Sequence, residues 1–360
     1  MRIFFISRFI LLLSFLSASM ANAQAVADGL RVSGTQLLQN GQPFLVQGLQ
    51  IVAFVGAEGA DNRYSKALDH FGDKELQLAK AWHANTIRFQ IGQPSMDPQS
   101  TSFSSQRVNT VERGVKLARS MGFAVIVSIQ DEKSTGEERQ HQLPTDATVR
   151  VLKNLLGMFG SDQGVMLELY NEPSLRPSPD YWELWKNGGA DPNGHGDTFI
   201  GMQQLIDLVR ASGSKNVVIV DGLNGSTNFR GVPELSDPLH QIVYAVHPFN
   251  KHGGRNADDW DKQFGFLQQQ GKAVLASEWN AKTGKQQQWC DGMSASELAQ
   301  TAKDFLSYIK SRSIGVVGFS FDIPGTVVQD FNGKPTNYDG RDCADQGGGP
   351  GELLFQHFFG

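Results

Sequence analysis

The sequence predicts an α/β protein, a single (β/α)8 TIM barrel with a short N-terminal β-hairpin. Short β-branched and aliphatic runs alternate with longer amphipathic segments from Phe44 onward, the alternation of strand and helix that a parallel sheet requires. Glycines or prolines separate most of these runs. Eight strands with helical crossovers favour a closed barrel over a doubly wound sheet, because no Gly-x-Gly-x-x-Gly motif follows the first strand.

The individual elements can be placed in order along the chain. Residues 30–46, with a turn at Asn40-Gly41, predict a hairpin that leads into the first barrel strand and caps the closed end of the barrel. Residues 221–240 are rich in Gly and Pro, so the helix after the fifth strand is expected to be short or missing. The predicted barrel strands are 46–51, 85–91, 124–129, 165–170, 216–220, 242–247, 273–278 and 316–321, and the predicted helices include 74–82, 105–121, 145–159, 197–212, 258–270 and 296–312.

The N-terminus has the order of a signal peptide. Basic residues precede an apolar run at 9–16, and small residues then lead to an Ala-Asn-Ala site that ends at Ala23. We expect cleavage after Ala23, with Ala27 as a second option. The apolar run is shorter than the roughly 18 to 20 residues that span a bilayer, so no stable membrane anchor is expected. The mature chain, residues 24–360, is therefore expected to be secreted or periplasmic and to form one barrel domain.

The composition permits a large core and narrows the partners. Hydrophobic residues make up 40% of the chain and charged residues 19%, which argues against disorder. The net charge of -5 is mild and no basic stripe occurs, so nucleic acid is not an expected partner, whereas a neutral polysaccharide is easily accommodated. We expect a monomer that needs no cofactor.

The chain contains two cysteines, Cys290 and Cys343, which are expected to form a disulfide in an exported protein. No Cys-x-x-Cys or His-Glu-x-x-His spacing occurs, so no metal site is expected. Residues 321–349 are rich in Gly, Asp and Asn and have the composition of a long active-site loop. The disulfide would join this loop to the one after strand seven and fix one wall of the cleft.

Polar residues end most of the predicted barrel strands, where the carboxyl ends of the strands form a common face. Two of them are glutamates, Glu172 after strand four and Glu278 after strand seven. Glycoside hydrolysis requires such a pair: one carboxyl protonates the leaving oxygen and the other attacks or hydrates the anomeric carbon. Asn-Glu-Pro alone could be a strand end followed by a turn. The remaining polar strand ends are Arg88, Gln130-Asp131-Glu132, His247 and Asp322.

Two motifs carry a resemblance to a known family. Leu169-Tyr170-Asn171-Glu172-Pro173, followed by Ala276-Ser277-Glu278-Trp279, resembles glycoside hydrolase family 5, the cellulases and mannanases of the clan A barrels. The resemblance covers nearly all of the mature chain. It implies that Glu172 is the acid/base and Glu278 the nucleophile, that Asn171 binds the sugar 2-hydroxyl, that Arg88 supports the nucleophile and that His247 shapes the −1 subsite.

Three positions depart from the family pattern. Gln130 stands where a histidine is usual, Phe249 replaces the tyrosine of a His-x-Tyr motif, and Phe319 or Phe321 takes the place of the strand-eight tryptophan. Without the phenol, the nucleophile loses a hydrogen bond unless Tyr244 or another donor substitutes. A phenylalanine floor still stacks on a pyranose, and Gln130 can hydrogen-bond a sugar but cannot titrate.

Several further aromatic and acidic residues lie at or beyond the strand ends, where an aromatic ring can serve as a platform for a sugar. Trp279 directly follows the nucleophile and is the preferred sugar platform. Trp182 and Trp185, at helical spacing, are expected to pack in the interior, as is Trp82. Trp260 and Trp289 are further candidates for a platform, and Asp131 and Glu132 are expected in a solvated loop.

Together these features predict a secreted retaining glycosidase that cleaves β-linked polysaccharide or oligosaccharide. Two alternatives remain open at this stage. One is a carbohydrate-binding barrel that has lost hydrolysis, which the three departures motivate, and the other is a transglycosidase on the same scaffold.

Overall fold

The computed structural model describes residues 29–57, 62–131, 140–249, 254–284, 290, 292–342 and 347–360. The predicted signal peptide, Glu132, Trp289 and Cys343 lie outside these residues. Cys290 is buried, and its pairing with Cys343 stays a prediction. Among the described residues, no helix combines the length and apolar character needed to cross a membrane.

Eight parallel strands close into a barrel, as the sequence predicts. Consecutive strands are neighbours around the barrel, and the last pairs with the first. The strands are buried along nearly their whole length, because helices cover the outside of the barrel. In chain order with the smaller sheets, the strands are β1 (Leu30–Ser33), β2 (Gln36–Gln39), β3 (Gln42–Pro43), β4 (Gln47–Phe54), β5 (Thr86–Gly92), β6 (Ala124–Gln130), β7 (Val165–Glu168), β8 (Gly188–Ala190), β9 (Thr198–Ile200), β10 (Val218–Asp221), β11 (Ile242–Val246), β12 (Ala273–Trp279) and β13 (Gly315–Gly318), of which β4 to β7 and β10 to β13 form the barrel.

The predicted hairpin is confirmed, with a short third strand added. Strands β1, β2 and β3 form an antiparallel sheet. Asn40 (φ 54°) and Gly41 (φ 77°) both adopt the left-handed conformation that a two-residue hairpin turn requires. Leu30 and Leu37 of this sheet belong to a buried cluster with Val217, at the start of a barrel strand. The sheet therefore closes the end of the barrel opposite the strand C-termini.

The helices follow the predicted positions with one correction. Residues 197–212 do not form one helix, because Thr198-Phe199-Ile200 pairs with β8 as a ribbon, as its β-branched and aromatic residues favour. The helices are α1 (Arg63–His70), α2 (Asp73–Ala81), α3 (Gln93–Met96), α4 (Ser105–Ser120), α5 (Asp146–Phe159), α6 (Pro179–Asn187), α7 (Met202–Ala211), α8 (Leu223–Ser226), α9 (Ala257–Trp260), α10 (Phe266–Gln269), α11 (Ala295–Ser311) and α12 (Gly351–Phe359), and a π-helical segment (Asp261–Gly265) joins α9 to α10.

The connection after the fifth barrel strand contains a single turn, α8, which confirms the expected short helix. Within it Asn224 (φ 58°, ψ 45°) and Gly225 (φ 67°, ψ 39°) are left-handed. The backbone N–H of Gly225 donates to the carbonyl of Pro173 at 2.9 Å. A Cβ on Gly225 would lie 3.9 Å from Cδ of Glu172. This turn therefore lies directly beside the Asn-Glu-Pro motif.

Candidate active site

The end of β7 places Glu172 at the mouth of the barrel. Glu172 has a left-handed backbone (φ 52°), which is uncommon for a residue with a side chain. Its backbone N–H donates to Oδ2 of Asp221 at 2.9 Å, so the carboxylate of the neighbouring strand holds this bend. The Glu172 side chain is 33% exposed, whereas that of Glu278 is 4% exposed. Glu172 is thus the more solvent-accessible of the two glutamates.

The barrel brings the two predicted glutamates together. One carboxylate oxygen of Glu172, one of Glu278 and a ring nitrogen of His247 lie within 4.8 Å of one another. His247 Nδ1 lies 2.8 Å from Oε1 of Glu172 and 3.9 Å from Oε2 of Glu278. His247, which follows β11, therefore lies between the carboxylate of Glu172, which follows β7, and that of Glu278 on β12.

Arg88 on β5 anchors the floor of the site. Its Nη1 donates to Oε1 of Glu278 at 2.6 Å and its Nη2 donates to Oδ1 of Asn171 at 2.6 Å. A bidentate pair joins Arg88 to Glu168, with Nε–Oε2 at 2.6 Å and Nη2–Oε1 at 2.7 Å. Because arginine offers donors alone, Oδ1 of Asn171 must face Arg88 and its Nδ2 is directed elsewhere.

Glu168 was missed by the sequence reasoning. It is the last residue of β7 and is 1% exposed. The sequence could have indicated Glu168, because a glutamate inside an apolar strand needs a partner for its buried charge. Burial raises the pKa of Glu168, but the positive charge of Arg88 and the hydrogen bond with His247 outweigh burial and hold the pKa well below its ordinary value. Glu168 therefore stays ionised beneath the two glutamates.

Removing Arg88 should destabilise the fold strongly. In Arg88→Met, the carboxylates of Glu168 and Glu278 lose their buried partner, and the free energy of unfolding should fall by about 3 to 5 kcal/mol. Urea unfolding followed by far-UV circular dichroism measures the loss. Arg312→Met is the matched control, because Arg312 pairs with Asp261 while both side chains are 32% exposed, and its cost should stay below about 1 kcal/mol. Equal losses for the two variants would contradict the assigned role of Arg88.

The acidic groups around His247 favour its protonated form. Its Nε2 lies 3.0 Å from Oγ of Ser277, 3.6 Å from Oδ2 of Asp221 and 3.9 Å from Oε1 of Glu168. Burial lowers the pKa of His247, but the charges of Glu278 and Asp221 outweigh it. The result is a pKa well above the ordinary histidine value. A protonated ring can donate from Nδ1 to Glu172 and from Nε2 to Ser277 at once.

The carboxyls around His247 titrate differently. Burial and the charge of Glu168 raise the pKa of Asp221 well above its ordinary value, so Asp221 holds a proton more readily than Glu168 does. Burial also raises the pKa of Glu278, while the charges of His247 and Arg88 limit that rise. A site in which neighbouring carboxyls are pushed apart in pKa suits acid/base chemistry.

The phenylalanines that differ from the family pattern lie in two places. Phe249 packs edge-to-face against His247 with ring centroids 6.4 Å apart and against Phe319 at 5.9 Å. Phe319 is partly exposed at this position. Phe321, in contrast, is buried on the outside of the barrel against Trp82 at 5.3 Å, so its assignment as a substrate-binding residue is corrected. Phe319 is the strand-eight phenylalanine that lies near the site.

Trp279 is also corrected. It is fully buried and stacks on Phe305 of α11 with ring centroids 5.5 Å apart and an interplanar angle of 17°. The reason is the alternation of a strand: Glu278 points into the barrel, so the next side chain points out toward the helices. Trp260 packs on the same Phe305 and is no platform either. The expected interior packing is found for Trp82, Trp182 and Trp185.

The polar residues at the ends of β6 and β13 lie in different places: one is at the site and the others are in the surrounding structure. Gln130 lies at the site, where its Oε1 accepts from Gln90 Nε2 at 2.6 Å. Asp131 is fully buried and contacts His141 Nδ1 at 2.7 Å, which corrects the expectation of a solvated loop. Asp322 accepts from the backbone N–H groups of Val52 and Ala53 at 2.7 and 2.9 Å, so it clamps β4. Its role is structural.

Tyr244 does not replace the missing phenol. Its ring packs edge-to-face on Phe229 at 5.6 Å, and the ammonium of Lys272 lies 5.3 Å from the ring centroid. These contacts place Tyr244 in the layer between β11 and the surrounding loops. The donors to Glu278 are Arg88 and two glutamines that the sequence reasoning did not single out, Gln50 and Gln90.

Two groups of described residues have positions compatible with a metal ion: Glu168 with Asp221 and His247, and Glu172 with His247 and Glu278. Both groups contain His247, whose raised pKa means that a metal would have to displace its proton. Arg88 already supplies a fixed positive charge to Glu168 and Glu278. Arg88 thus already balances part of the negative charge of these carboxylates.

The architecture is that of a parallel barrel with two carboxylates facing each other across its mouth. The family model described as Cellulase (glycosyl hydrolase family 5) matches residues 39–324. The chain belongs to glycosyl hydrolase family 5, and it is a glycosidase that hydrolyses O-glycosyl bonds. No curated protein matches the chain.

Solved structures share the fold at low sequence identity. A cellulase–inhibitor complex has a TM-score of 0.65 at 15% identity, covering 92% of this chain and 98% of that one. A β-glucanase from Saccharophagus degradans in complex with cellotetraose has a TM-score of 0.63 at 18% identity, covering 92% and 93%. A β-mannanase from Thermomonospora fusca has a TM-score of 0.56 at 16% identity, covering 82% and 85%.

Proposed function

We propose that this glycosidase cleaves β-linked polysaccharide or oligosaccharide with retention of configuration, with Glu172 as acid/base and Glu278 as nucleophile. The observation that carries the proposal is the short separation of the two carboxylates, whose nearest oxygens lie within 4.8 Å. Retaining enzymes hold their carboxyls about 5 to 5.5 Å apart, whereas inverting enzymes need about 6.5 to 9.5 Å to admit a water molecule.

The environments of the two glutamates support the assignment of roles. Glu278 is held from one side by Arg88, which favours its ionised form and suits a nucleophile. Glu172 is partly exposed, so it can exchange a proton with solvent and reach a leaving group at the mouth of the barrel. Its Oε1 lies 2.8 Å from Nδ1 of His247, which holds the carboxyl in place at the mouth of the barrel.

The reaction then has two steps. Glu172 gives its proton to the glycosidic oxygen while an oxygen of Glu278 bonds to the anomeric carbon, so the aglycone leaves as an alcohol and a glycosyl-enzyme ester forms. Glu172, now ionised, takes a proton from water, and the hydroxyl attacks the anomeric carbon and releases Glu278 as carboxylate. Two inversions restore the original configuration.

The substrate class is proposed from the family and from the sugar-facing groups. The neighbouring structures include enzymes described as a β-mannanase and as a β-glucanase in complex with cellotetraose, which act on β-linked chains. Nδ2 of Asn171 is directed away from Arg88 and is available to bind the 2-hydroxyl of the sugar. Phe319 is partly exposed and supplies aromatic surface near the site, whereas Phe249 is buried and packs behind it against His247.

The anomer of the first product tests retention. During hydrolysis of a β-glycan from a panel of β-glucans and mannans, ¹H NMR should show the β-anomer of the new reducing end before mutarotation produces the α-anomer. A first-formed α-anomer would contradict the proposal. The same spectra at high substrate concentration reveal products longer than the substrate if the enzyme transfers the glycosyl unit to another sugar.

We also propose that the protein acts outside the cytoplasm as a monomer with one catalytic domain. The support for export is the Ala-x-Ala site ending at Ala23 after a short apolar run, together with two cysteines suited to an oxidising compartment. The N-terminal sequence of the mature protein should begin shortly after Ala23.

A further inference from the structure

Three glutamine side chains lie in a row beside the proposed nucleophile. Gln50 on β4, Gln90 on β5 and Gln130 on β6 come from neighbouring barrel strands, and all three are buried. Nε2 of Gln50 donates to Oε1 of Gln90 at 2.9 Å, and Nε2 of Gln90 donates to Oε1 of Gln130 at 2.6 Å. We call Gln50, Gln90 and Gln130 the amide ladder.

Arg88 determines which way each amide of the ladder points. Its Nη1 lies 2.6 Å from the Gln50 side-chain oxygen, and arginine has donors alone, so that oxygen must face Arg88. The nitrogen of Gln50 then faces the oxygen of Gln90, and the nitrogen of Gln90 faces the oxygen of Gln130. The orientation of the ladder therefore follows from the chemistry of Arg88 and is not an arbitrary choice between amide nitrogen and oxygen.

The ladder directs its N–H groups at one oxygen of Glu278. Oε1 of Glu278 accepts from Arg88 Nη1 at 2.6 Å, from Gln90 Nε2 at 3.0 Å and from Gln50 Nε2 at 3.2 Å. Oε2 takes part in none of these bonds and lies 3.9 Å from His247 Nδ1. One carboxylate oxygen is thus saturated with donors, and the other is turned toward the side of the site where Glu172 lies.

We propose that Gln50 and Gln90 are positioning residues that fix Glu278 through Oε1 and leave Oε2 as the oxygen that attacks the sugar. This inference rests on the proposed function, in which Glu278 is the nucleophile. Phe249 carries no phenol, and the ladder supplies the donors from the opposite wall of the barrel. Since Oε1 of Gln130 is taken by Gln90, its Nε2 is the end of the ladder that can donate to a sugar hydroxyl.

A positioning role for Gln90 can be tested through the pKa of Glu278, provided that the charged groups facing Glu278 stay unchanged. They are Arg88 on β5, His247 after β11 and Glu172 after β7. Replacing Gln90 by Met removes one N–H donor without changing any of these charges. Loss of a hydrogen bond to a carboxylate disfavours its ionised form, so the pKa of Glu278 should rise by about one unit.

Gln90→Met and Gln93→Met form a matched pair for the experiment. Gln93 is also a fully buried glutamine, at the start of α3 directly after β5, but its Nε2 donates to Oδ2 of Asp131 at 3.2 Å and not to Glu278. The ¹³C resonance of the Glu278 carboxyl, labelled at Cδ and assigned by its absence from Glu278→Gln, reports its titration without substrate. The pH profile of kcat/KM on an aryl β-glycoside reports the same group during turnover.

In Gln90→Met, the ¹³C titration and the acidic limb of kcat/KM should both move up by about one unit. The value of kcat should fall about tenfold or more while KM changes less, because Gln90 contacts the nucleophile directly and reaches the sugar only through Gln130. Gln93→Met should leave the Glu278 titration and the pH profile unchanged. Gln50→Met is the second variant, for the case that Gln90→Met does not fold.

An unchanged Glu278 titration in a folded Gln90→Met or Gln50→Met protein would overturn the inference, even if hydrolysis were slower. An equal shift in Gln93→Met would also overturn it, because the effect would then be general to buried glutamines. If the wild-type protein hydrolyses no β-glycoside, the proposed function fails, whereas the ¹³C titration still decides whether the ladder acts on Glu278.

Discussion

Glu278→Ala should lower the hydrolysis of β-glycans by roughly 10⁴-fold or more, on the scale at which loss of an activated nucleophile lowers enzymatic rates. Without the carboxylate, no glycosyl-enzyme can form, and the remaining groups cannot replace the covalent step. Initial rates on an aryl β-glycoside with a good leaving group, compared with wild type, measure the loss. Added azide should restore turnover and yield the α-glycosyl azide, because azide attacks from the face that Glu278 vacated.

The matched control for Glu278 is Glu75, another buried glutamate, which belongs to α2 and lies near Asp322. Glu75→Gln should hydrolyse the same substrate at nearly the wild-type rate, whereas Glu278→Gln should be inactive. Thermal unfolding of both variants shows that each is folded. If Glu278→Gln retained wild-type activity, or if azide gave the β-glycosyl azide, Glu278 would not be the nucleophile.

Glu172→Ala should have a different signature. For substrates with a poor leaving group, the rate should fall by about 10² to 10⁴-fold, because general acid catalysis of bond cleavage is lost. An aryl substrate whose leaving group needs no proton should still form the glycosyl-enzyme quickly. The slow step is then its hydrolysis, so both kcat and KM should fall and intact mass spectrometry should detect the covalent adduct on Glu278.

Azide distinguishes Glu172 from Glu278 directly. In Glu172→Ala it should attack the glycosyl-enzyme and give the β-glycosyl azide, the opposite anomer from that formed by Glu278→Ala. A matched control is Glu183→Ala, since Glu183 belongs to α6 and accepts an exposed hydrogen bond from Nδ2 of Asn187. That variant should behave as wild type. The same product anomer from both catalytic variants would contradict the assignment of the two roles.

Much of the fold could be predicted because its signals are local. A buried parallel strand is a short apolar run and a covering helix is amphipathic, so the eight barrel strands could be located approximately without tertiary information. The differences from the predicted elements have local causes too. Residues 198–200 form a short strand that pairs with β8, and the helix predicted over 197–212 begins only after Gly201. The weakly helical segment after strand five became a single turn.

The candidate site was only partly predictable. Glu172, Glu278, Arg88 and His247 could be found because charged residues at the ends of apolar strands need a reason, and the barrel brings strand ends together. Gln50 and Gln90 carry no such signal, since a neutral amide within a strand is ordinary. Their contact with Glu278 depends on which side chains point inward at the same height of the closed barrel.

The sequence by itself determined the class of fold, the order of its elements and the two glutamates, because hydrophobic period and strand-ending charges are properties of neighbouring residues. The tertiary structure alone decided which side of a strand each residue faces. It turned Trp279 of β12 outward into the helical layer. Beyond the end of β13 at Gly318, where strand alternation no longer applies, it placed Phe321 in that layer and Phe319 toward the site. The reason is physical: alternation along a strand fixes relative sides, but barrel closure fixes which side is the interior.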